Sequence, residues 1–273
     1  MTDFVEQDLG DSRFERVDLT GSSFSEVRFS DARFRKADLN GAELRGCLMR
    51  GARLIGVEMQ DVEITGAIEQ VTVNGVDIGP LVEAELNRRD PERAKMRPDD
   101  VAGHQEAWSI VCRRWNETIE RARALPPDQL HVGVAGEWSF IQTLRHLNFA
   151  NAAWVGRMIL GDPSPWHSLD LPWDEAPNWD DIPVARDERP GRDARPDLDV
   201  VLAVRADRQA MVDEVMAGLT EDQLASRVSR PEPGWPRIED CPVKECLFIV
   251  INEAWEHRNY AERDLALLER SRS

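Results

Sequence analysis

Five histidines stand among the 273 residues: His104, His131, His146, His167 and His257. Two of them sit where a side chain could do chemistry. His146 lies in Thr143-Leu144-Arg145-His146-Leu147-Asn148-Phe149-Ala150, flanked by apolar residues at helical spacing. His257 follows Glu253 by four residues, so a helix presents both side chains on one face. Helical bundles hold metal ions in this way, with ligands projecting from facing helices. One imidazole from one helix and a carboxylate–imidazole pair from another make three ligands and leave a position open for water or substrate. The same residues suit two plainer roles, a satisfied core histidine and a surface Glu–His pair. Spacing alone leaves these readings open.

Other chemistries find no support. The chain has no Gly-rich phosphate loop, no Gly-x-Ser-x-Gly elbow and no His-Glu-x-x-His. Cys241 and Cys246 are five apart with no second pair, which is not a zinc-ribbon spacing. With Cys47 and Cys112 the cysteines number four, too few for a disulfide scaffold, and predict reduced thiols in a cytoplasmic protein. There are 51 acidic against 34 basic side chains, a net charge of −17. Such acidity argues against nucleic-acid partners and against anionic membranes. No apolar run is long enough to span a bilayer, and the first residues do not read as a secretory signal.

Four helices must position the candidate ligands. Trp108, Val111, Cys112, Trp115, Ile119 and Ala122 form the apolar stripe of the first, over about 104–124. The second opens at Ser139 with Gln142 three residues on, a capping box, and carries His146. The third spans about 198–218. The fourth opens at Pro242 and carries Glu253 and His257. Between the second and third lies a Pro-, Trp- and Asp-rich crossover, 161–197, predicted to cover one end of the bundle as a lid with Trp166, His167, Trp173 or Trp179.

The first quarter of the chain has a different period. Every fifth residue from Phe4 to Ile64 is apolar, and the residue two places earlier is mostly small. A period of five fits neither helix nor strand and needs a chain that turns a corner every five residues. Cys47 falls on a small, inward position and is predicted to be packed. Residues 68–103 follow, with Asn74-Gly75 between β-branched residues as a hairpin signal and a short helix from Pro80 to Arg89. This stretch is predicted to close the end of the repeat.

Residues 1–67 resemble the pentapeptide-repeat family. The resemblance implies a short right-handed quadrilateral β-helix of about three coils, roughly 15 Å tall. Some members imitate DNA, but residues 1–66 hold 13 acidic and 9 basic side chains, a mixed surface that argues against that role here. A structural or interaction role is expected, with a protein partner or self-association.

Residues 137–150 and 253–265 look like the two ligand helices of the DinB-like superfamily, which includes mycothiol-dependent maleylpyruvate isomerase. The resemblance covers 104–273 and implies a four-helix bundle holding a divalent metal, zinc or nickel, through His146, Glu253 and His257. It also implies a low-molecular-weight thiol, such as mycothiol, as co-substrate of a transferase or isomerase acting on an electrophile. Arg145 and Arg258 are candidates for a substrate carboxylate. Asn151 and Tyr260 are candidate hydrogen-bond donors, and His167 a candidate acid/base of the crossover. The alternative is a non-catalytic interaction protein in which the repeats recruit a partner.

Overall fold

Capping chemistry starts the helices where the side chains allow it. In the computed structural model, which describes residues 4–25, 27–44, 47–66, 68–134, 136–172 and 191–271, Asp100 caps helix α2 (Val101–Arg123) by accepting from the Gly103 N–H. Ser139 and Gln142 form the reciprocal capping box of α3 (Phe140–Asn151). Helix α3 runs on as a π-helical segment, Ala152–Ile159. Helices α4 (Leu198–Gly218) and α6 (Val243–Arg270) complete the bundle. Two shorter helices, α1 (Gly79–Arg89) and α5 (Glu221–Ala225), bring the described α-helices to six.

The chain divides into two units, one ending at Thr65 and one beginning at Gly66. In the second unit, α6 packs on α2 and α3, and α3 packs on α4. Trp115, Ile141, Leu144, Val201, Val212, Leu247 and Ile251 form a dry core. The Trp115 indole N–H donates to the Ala254 carbonyl at 2.7 Å, so the largest core side chain is also satisfied. Two small hairpins complete the unit. Strands β1 (Thr72–Val73) and β2 (Val76–Asp77) pair antiparallel around Asn74 and Gly75, both with positive φ, as the Asn-Gly pair predicts. Strands β3 (Arg227–Arg230) and β4 (Ile238–Pro242) pair with an irregularity between Val228 and Arg230 and deliver the chain into α6. Pro242 is therefore the N-cap of α6 rather than its first residue.

Residues 79–97 anchor on the bundle. Met96 is buried in the main core. Arg114 on α2 holds Asp90 at 2.7 Å and Glu92 at 2.6 Å.

The first unit repeats a corner every five residues. Glu6, Asp11, Arg16, Gly21, Asp31, Lys36, Gly41, Gly51, Gly56 and Asp61 all have positive φ, each two residues after an apolar centre. Alternate corners are hydrogen-bonded turns, such as Ser22 N–H to Leu19 O at 3.0 Å and Ala42 N–H to Leu39 O at 3.0 Å. Asp8, Asp18 and Asp38 accept from the backbone two residues on, as Asx turns. The corner expected from the period is present. The stacked β-helix is not: no strand ladder forms among the described residues of this unit, and the apolar centres are exposed, Phe29 at 48% and Phe34 at 66%. Cys47, expected to be packed, is exposed too. A coil of this kind buries its centres only against neighbouring coils, and three coils provide few neighbours.

Candidate metal centre

Helices α3 and α6 bring the three candidate ligands together. Glu253 Oε2 lies 3.2 Å from His146 Nε2 and 3.0 Å from His257 Nε2. One ligand atom from each of the three residues lies within 4.8 Å of the others. His146 is buried, and Glu253 and His257 are half-buried.

The hydrogen bonds of His146 decide how the cluster can act. Its Nδ1 is 3.0 Å from the Leu171 carbonyl, which can only accept, so Nδ1 carries a proton. Its Nε2 then faces a carboxylate oxygen. Burial raises the Glu253 carboxyl, but hydrogen bonds and charge from His146 and His257 outweigh it and bring it down to about 2. Glu253 is therefore an acceptor. A neutral imidazole would set a lone pair against that anion, so the arrangement calls for either a second proton on the ring or a cation between the groups. Two imidazole nitrogens and a carboxylate oxygen suit a divalent metal ion.

Aromatic rings close around the triad. Trp138 stacks on His257, with ring centroids 5.9 Å apart and 7° between planes, and its centroid is 4.6 Å from that of His146. Phe149 and Tyr260 follow the two histidines by three residues and stand 6.3 Å and 6.0 Å from their rings. Trp138 immediately precedes the Ser139 N-cap, so the capping box that starts α3 also sets this indole.

The other candidates go elsewhere. Arg145 is fully buried, and its Nε donates to the Leu169 carbonyl at 2.7 Å; it anchors the crossover rather than presenting a free guanidinium. Arg258 turns back to α2, donating to Arg114 O at 3.0 Å and Thr118 Oγ1 at 2.9 Å. His167 is exposed and its Nδ1 accepts from the Leu169 N–H, which braces a turn. Asn151 is buried where α3 meets the π segment. Tyr260 stands beside His257 with Arg263 over its ring. Of the tryptophans expected in a lid, Trp166 packs on Phe149, Ala152 and Ala153, while Trp173 and Trp179 lie outside the described residues.

Three features were not read from the sequence. Trp138 lies inside the 137–150 segment but carries no spacing signal that marks it as a neighbour of the triad. The Leu171 carbonyl has no side-chain signature. The π segment hides in an ordinary helical pattern, with Gly156 as its one hint: a Cβ there would meet Pro165 Cβ at 2.8 Å.

Pentapeptide repeats match in eight copies over residues 2–35, 12–51 and 32–68. No curated protein and no solved structure matches the chain. The profile of the DinB superfamily matches residues 112–261, a span that begins inside α2, ends inside α6 and contains all three residues of the triad. The chain belongs to the DinB superfamily and carries pentapeptide repeats at its N-terminus.

Proposed function

We propose that the bundle is a divalent-metal site in which His146, Glu253 and His257 are the ligands, serving a thiol-dependent transferase or isomerase. The observation that carries this reading is the single Glu253 oxygen shared by two imidazole Nε2 atoms, one on a ring whose Nδ1 is already committed. A bound zinc or nickel ion would supply Lewis acidity and bring a thiol or water to ionisation near neutral pH. The chain's own residues do the rest. Leu171 fixes which nitrogen of His146 faces the site, and the Trp138 ring limits how His257 can turn. Mycothiol, or another small thiol, is the proposed co-substrate, and an electrophile its acceptor.

The test is metal content after purification without chelator, followed by zinc and nickel titration. About one equivalent, lost in Glu253→Gln and His257→Ala, is expected. Less than about a tenth of an equivalent with no rebinding would reject the site. Thiol consumption with an electrophile, measured with and without metal, then tests the reaction class separately.

A second reading concerns the repeats. Their exposed apolar centres favour association with a partner or a second copy, which would let the corners close into a quadrilateral β-helix. Sedimentation of the full chain should show an associated species that Phe24→Ser/Phe29→Ser/Phe34→Ser abolishes. A monomer at all concentrations would leave only a foreign partner.

A further inference from the structure

We infer that Arg145 is a positioning residue for the triad, acting through the crossover; this rests on the metal reading above. Arg145 and His146 are adjacent on α3, so their side chains diverge by about 100° around the helix. One approaches Glu253. The other reaches the crossover, where Arg145 Nε donates to Leu169 O at 2.7 Å and its terminal nitrogens approach Gly191 O at 3.3 Å. A single guanidinium thus ties together two crossover positions twenty-two residues apart in sequence.

Leu171 lies two residues beyond Leu169 and meets α3 through both of its peptide groups. Its N–H donates to the Arg145 carbonyl at 3.3 Å, and its carbonyl accepts from His146 Nδ1 at 3.0 Å. The segment is held on its other side as well, since Arg208 on α4 donates to the Pro165 carbonyl and lies 3.6 Å from Asp170. Leu171 therefore cannot drift while Arg145 grips Leu169. The consequence falls on His146. With Nδ1–H bound to a fixed carbonyl, the ring holds one tautomer and one rotation, and Nε2 is the nitrogen left for the triad. Outer hydrogen bonds of this kind commonly change metal affinity by about 10–100-fold.

A merely structural arginine predicts something else. Arg157 is the internal control. It too is buried, donates to Pro236 O at 3.1 Å and Glu232 O at 2.7 Å and lies 5.7 Å over the Trp166 ring, but among the described residues no hydrogen bond ties it to His146 or Leu171. The experiment compares the full-length protein with Arg145→Lys, Arg145→Met and Arg157→Met. Zinc affinity is measured by chelator competition, the ligand field by the visible spectrum of the cobalt form, and stability by melting of the metal-free protein.

Both Arg145 variants should weaken zinc about 10–100-fold and alter the cobalt spectrum. Arg157→Met should lower the melting temperature and leave affinity unchanged. Equal affinity in wild type and both Arg145 variants would overturn the positioning role while leaving the metal site standing. A wild type that binds neither zinc nor cobalt would overturn both. If the Arg145 variants do not fold, nitrogen NMR of His146 in zinc-loaded wild type decides: Nδ1 protonated with Nε2 bound supports the proposal, and the reverse tautomer ends it.

Discussion

The two units of this chain use their apolar residues in opposite ways. In the helical unit a period of 3.6 sends Trp115, Leu144, Leu247 and Ile251 into a core where each is essentially inaccessible. In the repeat a period of five places an aromatic or aliphatic residue at every face, yet Phe24, Phe29 and Phe34 remain about half or more exposed, with successive ring centroids 5.7 Å apart. The repeat also holds non-glycine residues such as Arg16 and Lys36 at positive φ, which costs about 1–2 kcal/mol each. Periodic patterning thus sets a local conformation in both units, but only the helices find within their own unit the surface that covers them.

The largest effect should come from the core. Trp115→Ala removes a fully buried indole and its hydrogen bond to Ala254, and should destabilise the helical unit by about 3–5 kcal/mol in chemical denaturation. Phe29→Ala should cost about 1 kcal/mol, the worth of its two edge contacts. A repeat-unit loss as large as that of Trp115 would mean that the apolar centres are buried in solution, and the contrast would fail.

Two carboxyls, Asp170 in the helical unit and Asp18 in the repeat, shift in opposite directions. Burial raises the Asp170 carboxyl from its ordinary 3.8 to about 6, with Arg208 and the His167 N–H only partly offsetting it. Between those values the folded state holds a proton that the unfolded state has released, so stability falls as pH rises from about 4 to 6. The full span corresponds to about 3 kcal/mol. Denaturation of wild type and Asp170→Asn at pH 4 and pH 7 should show the variant gaining on wild type by that order at the higher pH; a constant difference would mean Asp170 titrates normally. In the repeat, the side-chain and backbone groups of Thr20 lower the exposed Asp18, so its contribution is present at neutral pH and lost as pH falls.

Metal should act on one unit only. Zinc at a hundred times its dissociation constant should add about 2.7 kcal/mol to the helical unit. Hydrogen exchange should slow in 138–171 and 243–265 and stay unchanged in 4–66. Equal protection of the repeat would show that the units are energetically coupled.

Much of the helical unit was legible because its signals are local. The Ser139–Gln142 capping box, the Asn74-Gly75 turn and the stripe from Trp108 to Ala122 each act within a few residues, and the structure shows all of them. Glu253 and His257 were legible as a pair for the same reason. What was not legible is tertiary. Arg145 reads as a candidate for a substrate carboxylate until the crossover is laid beside it, and the Leu171 carbonyl carries no sequence mark. For the repeat, the period predicts the corners but not the stacking, because stacking depends on coil number and on what covers the ends.

The smallest test uses glycine in each unit. Gly156 lies in the π segment against the crossover, where an added Cβ would sit 2.8 Å from Pro165 Cβ and 3.4 Å from the Met211 sulfur. Gly156→Ala must push that contact apart and should cost about 1–3 kcal/mol. Gly41 occupies a corner of the repeat at φ +73, with nothing within 4 Å of an added Cβ. The corner ten residues earlier is already held by Asp31 at φ 61. Gly41→Asp should therefore cost no more than about 1 kcal/mol, since Asp tolerates this conformation and has open space around it. Thermal melting of both variants reads the difference. If Gly41→Asp proved the more damaging, the corner would have to be packed against neighbouring coils, because an open corner offers an added side chain nothing to strike.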